Sequence, residues 1–421
     1  MDLIFAEATP PGRGGVSILR ISGEGARSAV GQLTGSLAKP RHAYLRKIQI
    51  EGQVLDQALV IWFEAGQSFT GEEVVELHLH GAPVIMRRLS QVLIGSGMRL
   101  AEPGEFTKRA FINGQMDLAE VEALGDLLSA ETESQRLLAM RNMNGELSNK
   151  VAEWRNLLIR AGALVESSVD FADEDVPDDI PDEVFDLLEK LRVDLVDQIA
   201  GYDAAELIRN GFEVAIVGPP NVGKSSLLNR LARRDMAIVS DIAGTTRDII
   251  ELRMDLRGLA VTFLDTAGLR QSTDEIESLG IDRTRERAQA ADLRIHLSFD
   301  GTIDDGLWRS GDLVVMGKSD LRSITNAFAI SSVTGEGIDD LLTEIFDRLS
   351  GKVAKASLVS HQRQFQDMVG ALAALYDVNR DQPEILSESI RIASSSLDHL
   401  LGKIGAEDYL DVIFTSFCIG K

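Results

Sequence analysis

Apolar and polar positions alternate along the first part of the chain in the two-residue rhythm of half-buried strands. Residues 16–21, 43–50, 57–63 and 74–80 read as strands. In the last of these, Val75, Leu77 and Leu79 alternate with Glu76, His78 and His80. Residues 83–95 switch to helical spacing and open with Pro83, a residue suited to a first helical turn. Pro103-Gly104 marks a turn. The pattern predicts an α+β domain over residues 1–117.

From about Leu118 to Glu206 the rhythm becomes helical, with Leu118, Val121, Leu124, Leu127 and Leu128 on one helix face. An acidic, proline-punctuated stretch at residues 173–183 reads as a solvated loop. Residues 212–217 then begin strand-like runs that alternate with helices, the pattern of an α/β domain with a mostly parallel sheet. After about Gly351 the chain is helical again. The simplest arrangement is one helical domain in two pieces, residues 118–207 and 351–421, with an α/β domain inserted at residues 208–350. Such insertion is tolerated where domain ends lie close together. The fold class expected is therefore multidomain α/β and α.

Composition narrows the setting. The chain has 421 residues, enough for two or three cores, and is 44% apolar and 26% charged, as in soluble globular proteins. No apolar run reaches the length of a membrane span, and residues 1–7 lack the features of a signal peptide. A single cysteine, Cys418, allows no intrachain disulfide and suits a reducing cytoplasm. The net charge is −23, so a nucleic-acid role needs a local basic patch or a basic partner.

The chemistry concentrates in the inserted domain. Gly218-Pro219-Pro220-Asn221-Val222-Gly223-Lys224-Ser225 fits the phosphate-loop pattern G-x-x-x-x-G-K-[ST]. The glycines let backbone N–H groups face phosphates, Lys224 reaches the terminal phosphates, and Ser225 offers a hydroxyl to Mg²⁺. A strand-like run at residues 213–217 precedes the motif, and a helical run at 226–231 follows it. This places the phosphates at a helix N-terminus.

Companion motifs follow in order. Gly244-Thr245-Thr246-Arg247-Asp248 carries a threonine, Thr246, that can close over Mg²⁺. Residues 249–256 and 259–264 read as a hairpin joined by Arg257-Gly258, and end at Asp265-Thr266-Ala267-Gly268. There the aspartate can hold Mg²⁺ through water, and the Gly268 N–H can reach a γ-phosphate. After the strand at 313–316 stands Gly317-Lys318-Ser319-Asp320, similar to the guanine-reading N-K-x-D motif with Gly317 in place of asparagine. A carboxylate at Asp320 can accept from both N1–H and the 2-amino group of guanine. Loss of the asparagine contact predicts weaker nucleotide affinity. Ser331-Ser332-Val333, after a strand-like run at 327–330, resembles the last base-contacting loop. The GTP-binding set from these motifs is Asn221 to Ser226, Thr245, Thr246, Asp265 to Gly268, Lys318, Asp320 and Ser331 to Val333.

The group that activates water is open at this level. Many GTPases use a glutamine directly after D-x-x-G, but this chain has Leu269 there. Asp274, Glu275 and Glu277 lie just downstream, and Arg247 and Arg270 are nearby.

The motifs together resemble one family, the tRNA wobble-uridine modification GTPases called MnmE or TrmE. Segments outside the GTPase core carry the resemblance: Ala8-Thr9-Pro10-Pro11-Gly12-Arg13-Gly14-Gly15-Val16, Leu19-Arg20-Ile21-Ser22-Gly23, Phe69-Thr70-Gly71-Glu72, Pro103-Gly104-Glu105-Phe106 and Phe417-Cys418-Ile419-Gly420-Lys421. It implies an N-terminal domain that binds a one-carbon tetrahydrofolate derivative and forms a homodimer. It also implies a discontinuous helical domain carrying an inserted Ras-like G domain. The family works with an FAD-dependent MnmG-type partner to add an aminomethyl-type group to C5 of the wobble uridine of tRNA, with the partner supplying much of the RNA-binding surface.

By position, the resemblance makes Arg20, Glu76, Gln115 and Lys421 the folate-site residues, Gln115 standing where the family has a basic residue. It implies a K⁺ ion in place of an arginine finger, with Asn221 as side-chain ligand and Ser240, Ile242 and Thr245 completing the cage. Ser240 joins the GTP-binding set only by this resemblance. Ser225 and Thr246 hold Mg²⁺. Glu277 matches the catalytic glutamate that orients water when two G domains meet, and acts with Lys224 and Gly268. The connection at residues 299–311 is short and rich in Gly and Asp, so the helix usual between those two core strands is expected to be reduced. The reading is a cytoplasmic, K⁺- and Mg²⁺-dependent GTPase of tRNA modification. Two alternatives are a regulatory GTPase switch, which folate binding by the N-terminal domain would argue against, and a non-hydrolysing nucleotide scaffold, which potassium-stimulated turnover would exclude.

Overall fold

In the computed structural model, which describes residues 2–170, 180–234, 236–238, 251–266, 285–322, 328–376, 382–404 and 420, the alternating segments near the N-terminus form one six-stranded sheet. Its strands are β1 (Ile4–Glu7), β2 (Gly14–Ser22), β3 (Tyr44–Ile50), β4 (Gln53–Phe63), β5 (Val74–Gly81) and β6 (Arg99–Leu100), in the order β3-β4-β5-β2-β1-β6. Neighbours are antiparallel except β1 and β6. Leu19, Ile21, Val75, Leu77 and Leu79 meet Ala26 and Val30 of α1 (Ala26–Thr34) and Leu89 and Leu93 of α2 (Pro83–Gly95). The period of two aims alternate residues at these helices, so one face of the sheet holds the core.

In α3 (Glu105–Ile112), Arg109 is buried and bonded to carboxylates of Glu72, Glu105 and Asp2 at 3.0, 3.0 and 2.8 Å. A buried guanidinium needs such pairing to offset its desolvation. These elements belong to a unit made of Met1–Gly125 and Ser394–Lys421.

The second unit, Asp126–Ala393, holds helices and a second sheet. The helix α4 (Leu118–Ser129) leads into it. It continues through α5 (Glu133–Met143), α6 (Glu146–Asp170), α7 (Asp182–Ala200) and α8 (Tyr202–Asn210). Buried Leu147, Val151, Trp154, Leu158, Ala161 and Val165 on α6 recur at spacings of three and four, as do Val184, Leu188, Leu191 and Leu195 on α7. The two helices pack along each other, and the Trp154 indole N–H donates to Asp194 at 3.3 Å. The expected loop at 173–183 is corrected at its end: Asp182 and Glu183 form the acidic first turn of α7, where they complement the helix dipole. Its residues 173–179 lie outside the described residues.

The sheet of this unit contains β7 (Phe212–Val217), β8 (Glu251–Leu256), β9 (Leu259–Asp265), β10 (Leu293–Ser298) and β11 (Leu313–Met316). Their order is β11-β10-β7-β9-β8, parallel except for the β8–β9 hairpin. Five of the six β7 residues are buried, as befits a central strand covered on both faces. Helices α9 (Lys224–Ala232) and α10 (Ile338–Ser350) cover one face, joining a core with Phe212, Val214, Ile216 and Phe263. Ala288, Ala291 and Leu307 cover Ala215 and Val217 on the other. Two further helices are α11 (Gln362–Ala374) and α12 (Pro383–Leu400).

Of the strand expected at 327–330, residue 327 lies outside the described residues and 328–330 form a single bridge, Met316 with Ala329, where Met316 exchanges two backbone hydrogen bonds with Phe328 and Ile330 at 2.8 Å. Residues 299–312 contain no helix. In its place Asp312, buried at the start of β11, receives Arg294 of β10 at 2.8 Å and the backbone N–H of Arg309 at 2.7 Å. His296 of β10 lies 3.4 Å from the same carboxylate, and its other ring nitrogen accepts the Asp304 N–H at 3.3 Å. Burial acts to raise the Asp312 pKa, but the Arg294 guanidinium and the backbone N–H groups outweigh it and hold the carboxyl below its ordinary range. Burial pushes His296 below the usual imidazole value against the pull of Asp312. Among the described residues no helix is long and apolar enough to cross a membrane.

Candidate functional site

The phosphate loop begins where β7 ends and closes on α9. Gly218 has φ +152°, and a Cβ there would lie 2.0 Å from the Leu297 carbonyl, so only glycine lets the loop pass β10. Asn221 and Gly223 are also left-handed, at φ 60° and 113°. Gly223 precedes the first turn of α9, whose backbone N–H groups open toward the loop. Val222 is buried in the core below, which anchors the loop.

Lys224 is 7% exposed, and its ammonium donates to the carbonyls of Gly218 at 2.7 Å and Pro219 at 3.1 Å. It is held within the curl of the loop. Ser225 donates its hydroxyl to Asp265 Oδ2 at 2.7 Å. Register explains the meeting: β9 pairs with β7 so that Asp265 stands beside Ile216, one residue before the strand ends. The neighbouring Thr266 is 2% exposed and donates to the Ile216 carbonyl at 2.6 Å, which fixes the end of β9. Ser226 sits exposed on the first turn of α9. A hydroxyl and a carboxylate in contact below a phosphate loop are hard oxygen donors, and this set fits Mg²⁺.

The base-reading segment is joined to the same loop. Lys318 adopts φ 59°, and its ammonium donates to the Asn221 carbonyl at 3.0 Å while lying 4.8 Å from the centre of the Phe299 ring. Gly317 packs against the loop from the other side: a Cβ there would lie 3.2 Å from the Val222 carbonyl. Asp320 accepts the Ser331 hydroxyl at 2.6 Å, and Ser331 Oγ accepts the N–H groups of Val333 and Thr334 at 3.2 and 3.1 Å. Asp320 is exposed beside a buried Ser331, with Ser332 half-buried and Val333 exposed. The structure therefore brings Asn221, Lys318, Asp320 and Ser331 into one connected arrangement. Phe299 was not singled out from the sequence; the signal was an aromatic residue placed directly after a core strand.

Ser240, Ile242, Thr245, Thr246, Ala267, Gly268 and Glu277 lie outside the described residues, as do Arg247, Leu269, Arg270, Asp274, Glu275, Cys418 and Lys421. Among the described residues no group of three or more His, Cys, Asp or Glu side chains could hold a metal by itself.

In the N-terminal unit, Arg20 and Glu76 stand opposite each other on β2 and β5 and form an ion pair at 2.9 Å. The Arg20 guanidinium lies 5.7 Å from the Phe69 ring centre and 5.8 Å from that of Phe106. Gln115 is exposed and packs beside Gly71, in the same loop that supplies Phe69. Gly420 lies against the Glu7 backbone, so tightly that a Cβ would meet that carbonyl at 2.4 Å.

Comparison with known proteins gives one answer across the chain. The profile described as GTP-binding protein TrmE N-terminus matches residues 3–115, and that of the MnmE helical domain matches residues 118–418. The chain is 57% identical over 421 residues to the tRNA modification GTPase MnmE of Paracoccus denitrificans (strain Pd 1222), covering 100% of both chains. It is 50% identical over 429 residues to that of Dinoroseobacter shibae (strain DSM 16493 / NCIMB 14021 / DFL 12), and 50% over 430 residues to that of Cereibacter sphaeroides (strain ATCC 17029 / ATH 2.4.9), again covering 100% of both chains.

Proposed function

The chain belongs to the MnmE family of tRNA modification GTPases, and on that premise we propose that it is a K⁺-stimulated, Mg²⁺-dependent GTPase that works with an FAD-dependent MnmG-type protein on the wobble uridine of tRNA. Its coarser part, a GTPase of tRNA modification, follows from the family itself. What supports nucleotide and Mg²⁺ binding is the joining of the phosphate and base segments, with Lys318 bonded to the Asn221 carbonyl and Ser225 bonded to Asp265; K⁺ and the MnmG-type partner rest on the family resemblance.

In this reading Lys224, Ser225 and the α9 N–H groups hold the phosphates, and Asp320 reads guanine. Ser225 and Asp265, with Thr246, hold Mg²⁺, which neutralises phosphate charge. The exposed Asn221 carboxamide, with Ser240, Ile242 and Thr245, holds K⁺, whose fixed charge takes the place of an arginine finger. Glu277 orients the attacking water when two G domains meet in the homodimer. Residues 208–350 form the G domain, set into a helical domain of residues 118–207 and 351–421.

Residues 1–117 form the folate-binding and dimerisation domain. There the Arg20–Glu76 pair between the Phe69 and Phe106 rings suits an aromatic ligand that carries carboxylates and ring N–H groups. Arg20, Glu76, Gln115 and Lys421 would hold a tetrahydrofolate derivative, which brings the one-carbon unit.

The deciding experiment is GTP turnover of the purified chain in KCl and NaCl at equal ionic strength. Turnover that rises strongly in KCl supports the cation cage. Equal, slow turnover in both salts removes Asn221 and its loop from that role and overturns the proposed mechanism.

A further inference from the structure

Residues 25–50 contain no Asp or Glu, yet they carry Arg27, Lys39, Arg41, Arg46 and Lys47. With 66 acidic residues in 421, a stretch of this length would hold about four at the chain's own frequency. The structure gathers the last four cations along β3 and the turn that leads into it, at the outer edge of the six-stranded sheet. None of them has a carboxylate partner among the described residues. Arg41 spends one N–H on the Gln67 carbonyl at 2.6 Å, and Arg46 reaches the Leu45 and Ser36 carbonyls at 3.2 and 3.4 Å. Lys39 and Lys47 are exposed. The first carboxylate after the run, Glu51, is engaged by Arg88 at 3.1 Å.

Rings are interleaved with the charges. The His42 ring meets the Tyr44 ring edge-on at 4.6 Å, and the Arg46 guanidinium lies 4.8 Å from the Tyr44 ring centre. The Tyr44 hydroxyl accepts the Lys39 N–H at 2.6 Å, which ties the turn to the strand. His42 itself is exposed. Edge strands are often guarded by a lysine against pairing with another sheet. Four cations without a carboxylate partner among the described residues, on both faces of this edge beside an edge-on His42–Tyr44 pair, go beyond that need. They match what an RNA backbone and its unstacked bases require: cations for phosphates and π faces for stacking. In a chain of net charge −23, such an edge is the local exception that RNA contact demands.

The geometry points to the β3 edge, with Lys39, Arg41, His42, Tyr44, Arg46 and Lys47, as an RNA-docking surface of this chain, separate from any surface a partner supplies. The inference rests on the tRNA-modification reading above for the identity of the RNA, and on charge and aromatic geometry for its place.

The test uses the full chain and an unmodified tRNA transcript, with affinity measured by fluorescence anisotropy across a salt series. The variant Lys39→Gln/Arg41→Gln/Lys47→Gln is expected to bind about tenfold or more weakly near 0.1 M salt, and the slope of log affinity against log salt is expected to shrink by about two to three. Lys47→Glu alone, at an exposed side chain, guards against a folding defect and should weaken binding in the same direction. GTP turnover is measured on the same samples and should be unchanged. Equal affinity and slope in wild type and variants overturns the surface, as does a wild type that binds no tRNA. Loss of association with the MnmG-type partner while tRNA binding persists also overturns it, and reassigns the edge to an acidic protein. Failure of the wild type to hydrolyse GTP counts against the functional reading instead, and is read from a separate signal.

Discussion

The Ser225 hydroxyl donates to the Asp265 carboxylate at 2.7 Å, joining the first turn of α9 to the end of β9 across a register fixed by the β7–β9 pairing. In the proposed Mg²⁺ site each would position the other for the cation. Ser225→Ala removes one oxygen of the set and its hydrogen bond to the Asp265 carboxylate. We expect GTP turnover to fall about tenfold or more and nucleotide affinity to lose most of its dependence on Mg²⁺. Turnover and fluorescent-GDP binding over a Mg²⁺ series provide the check; unchanged Mg²⁺ dependence would remove Ser225 from the site.

Gly317 lies where the base-reading segment passes the phosphate loop. A Cβ there would stand 3.2 Å from the Val222 carbonyl, close enough that the loop must yield by a few tenths of an ångström. An asparagine carboxamide would then bond across to the loop, adding a contact worth about 1 kcal/mol. Gly317→Asn is thus expected to tighten GTP binding about three- to tenfold, read by equilibrium titration. Unchanged affinity would mean that Lys318 and Phe299 already brace the segment fully.

Glu277 is assigned by family position alone. Glu277→Ala should keep nucleotide affinity and lose about a hundredfold in turnover, within the usual worth of a positioned acid or base. Binding measured beside single-turnover hydrolysis separates the two. Near-normal hydrolysis would return the choice to Asp274 or Glu275.

The buried cluster between β10 and β11 is expected to make the stability of its unit depend on pH. His296 faces Asp312, Arg294, the Asp304 backbone and the Trp308 ring. Its folded pKa is lowered, so its share of stability is present above the unfolded value of about 6.5 and is lost as pH falls from there toward the folded value. The depressed Asp312 acts with the same sign at lower pH, below its unfolded value of about 3.9. Thermal midpoints should drop from pH 7.5 to 5.5, and His296→Asn should flatten that slope. Asp312→Ala strands Arg294 without its carboxylate and should cost about 3–5 kcal/mol at neutral pH. A wild-type slope that survives in His296→Asn would place the titrating group elsewhere.

Much of this arrangement was legible in the residues. The phosphate loop could be read because its steric demands fall on named glycines: the Gly218 approach to Leu297 tolerates nothing larger. The four long N-terminal strands showed their period of two, and Pro83 announced α2. The misses have physical causes. β6 spans two residues, too short for any rhythm to register. The expected strand at 327–330 has the right composition, but it meets Met316 at one bridge only, because pairing is decided by the partner and not by the run itself. Asp182 and Glu183 look like loop acids until the helix they begin is seen. The Lys318–Asn221 bond and the Phe299 ring beside it join residues far apart in the chain, which periodicity does not report. The acid-free run at residues 25–50 was present in the sequence, but its meaning depended on β3 being an edge.

The turn-filled connection between β10 and β11 changes how its unit fails. A helix would spread its grip over many interchangeable contacts, so that no one substitution matters much. Here the grip converges on the oxygens of Asp312, which hold Arg294, His296 and the Arg309 N–H together. The result is a keystone: this one carboxylate carries three contacts at once, so its loss is expected to release all of them together.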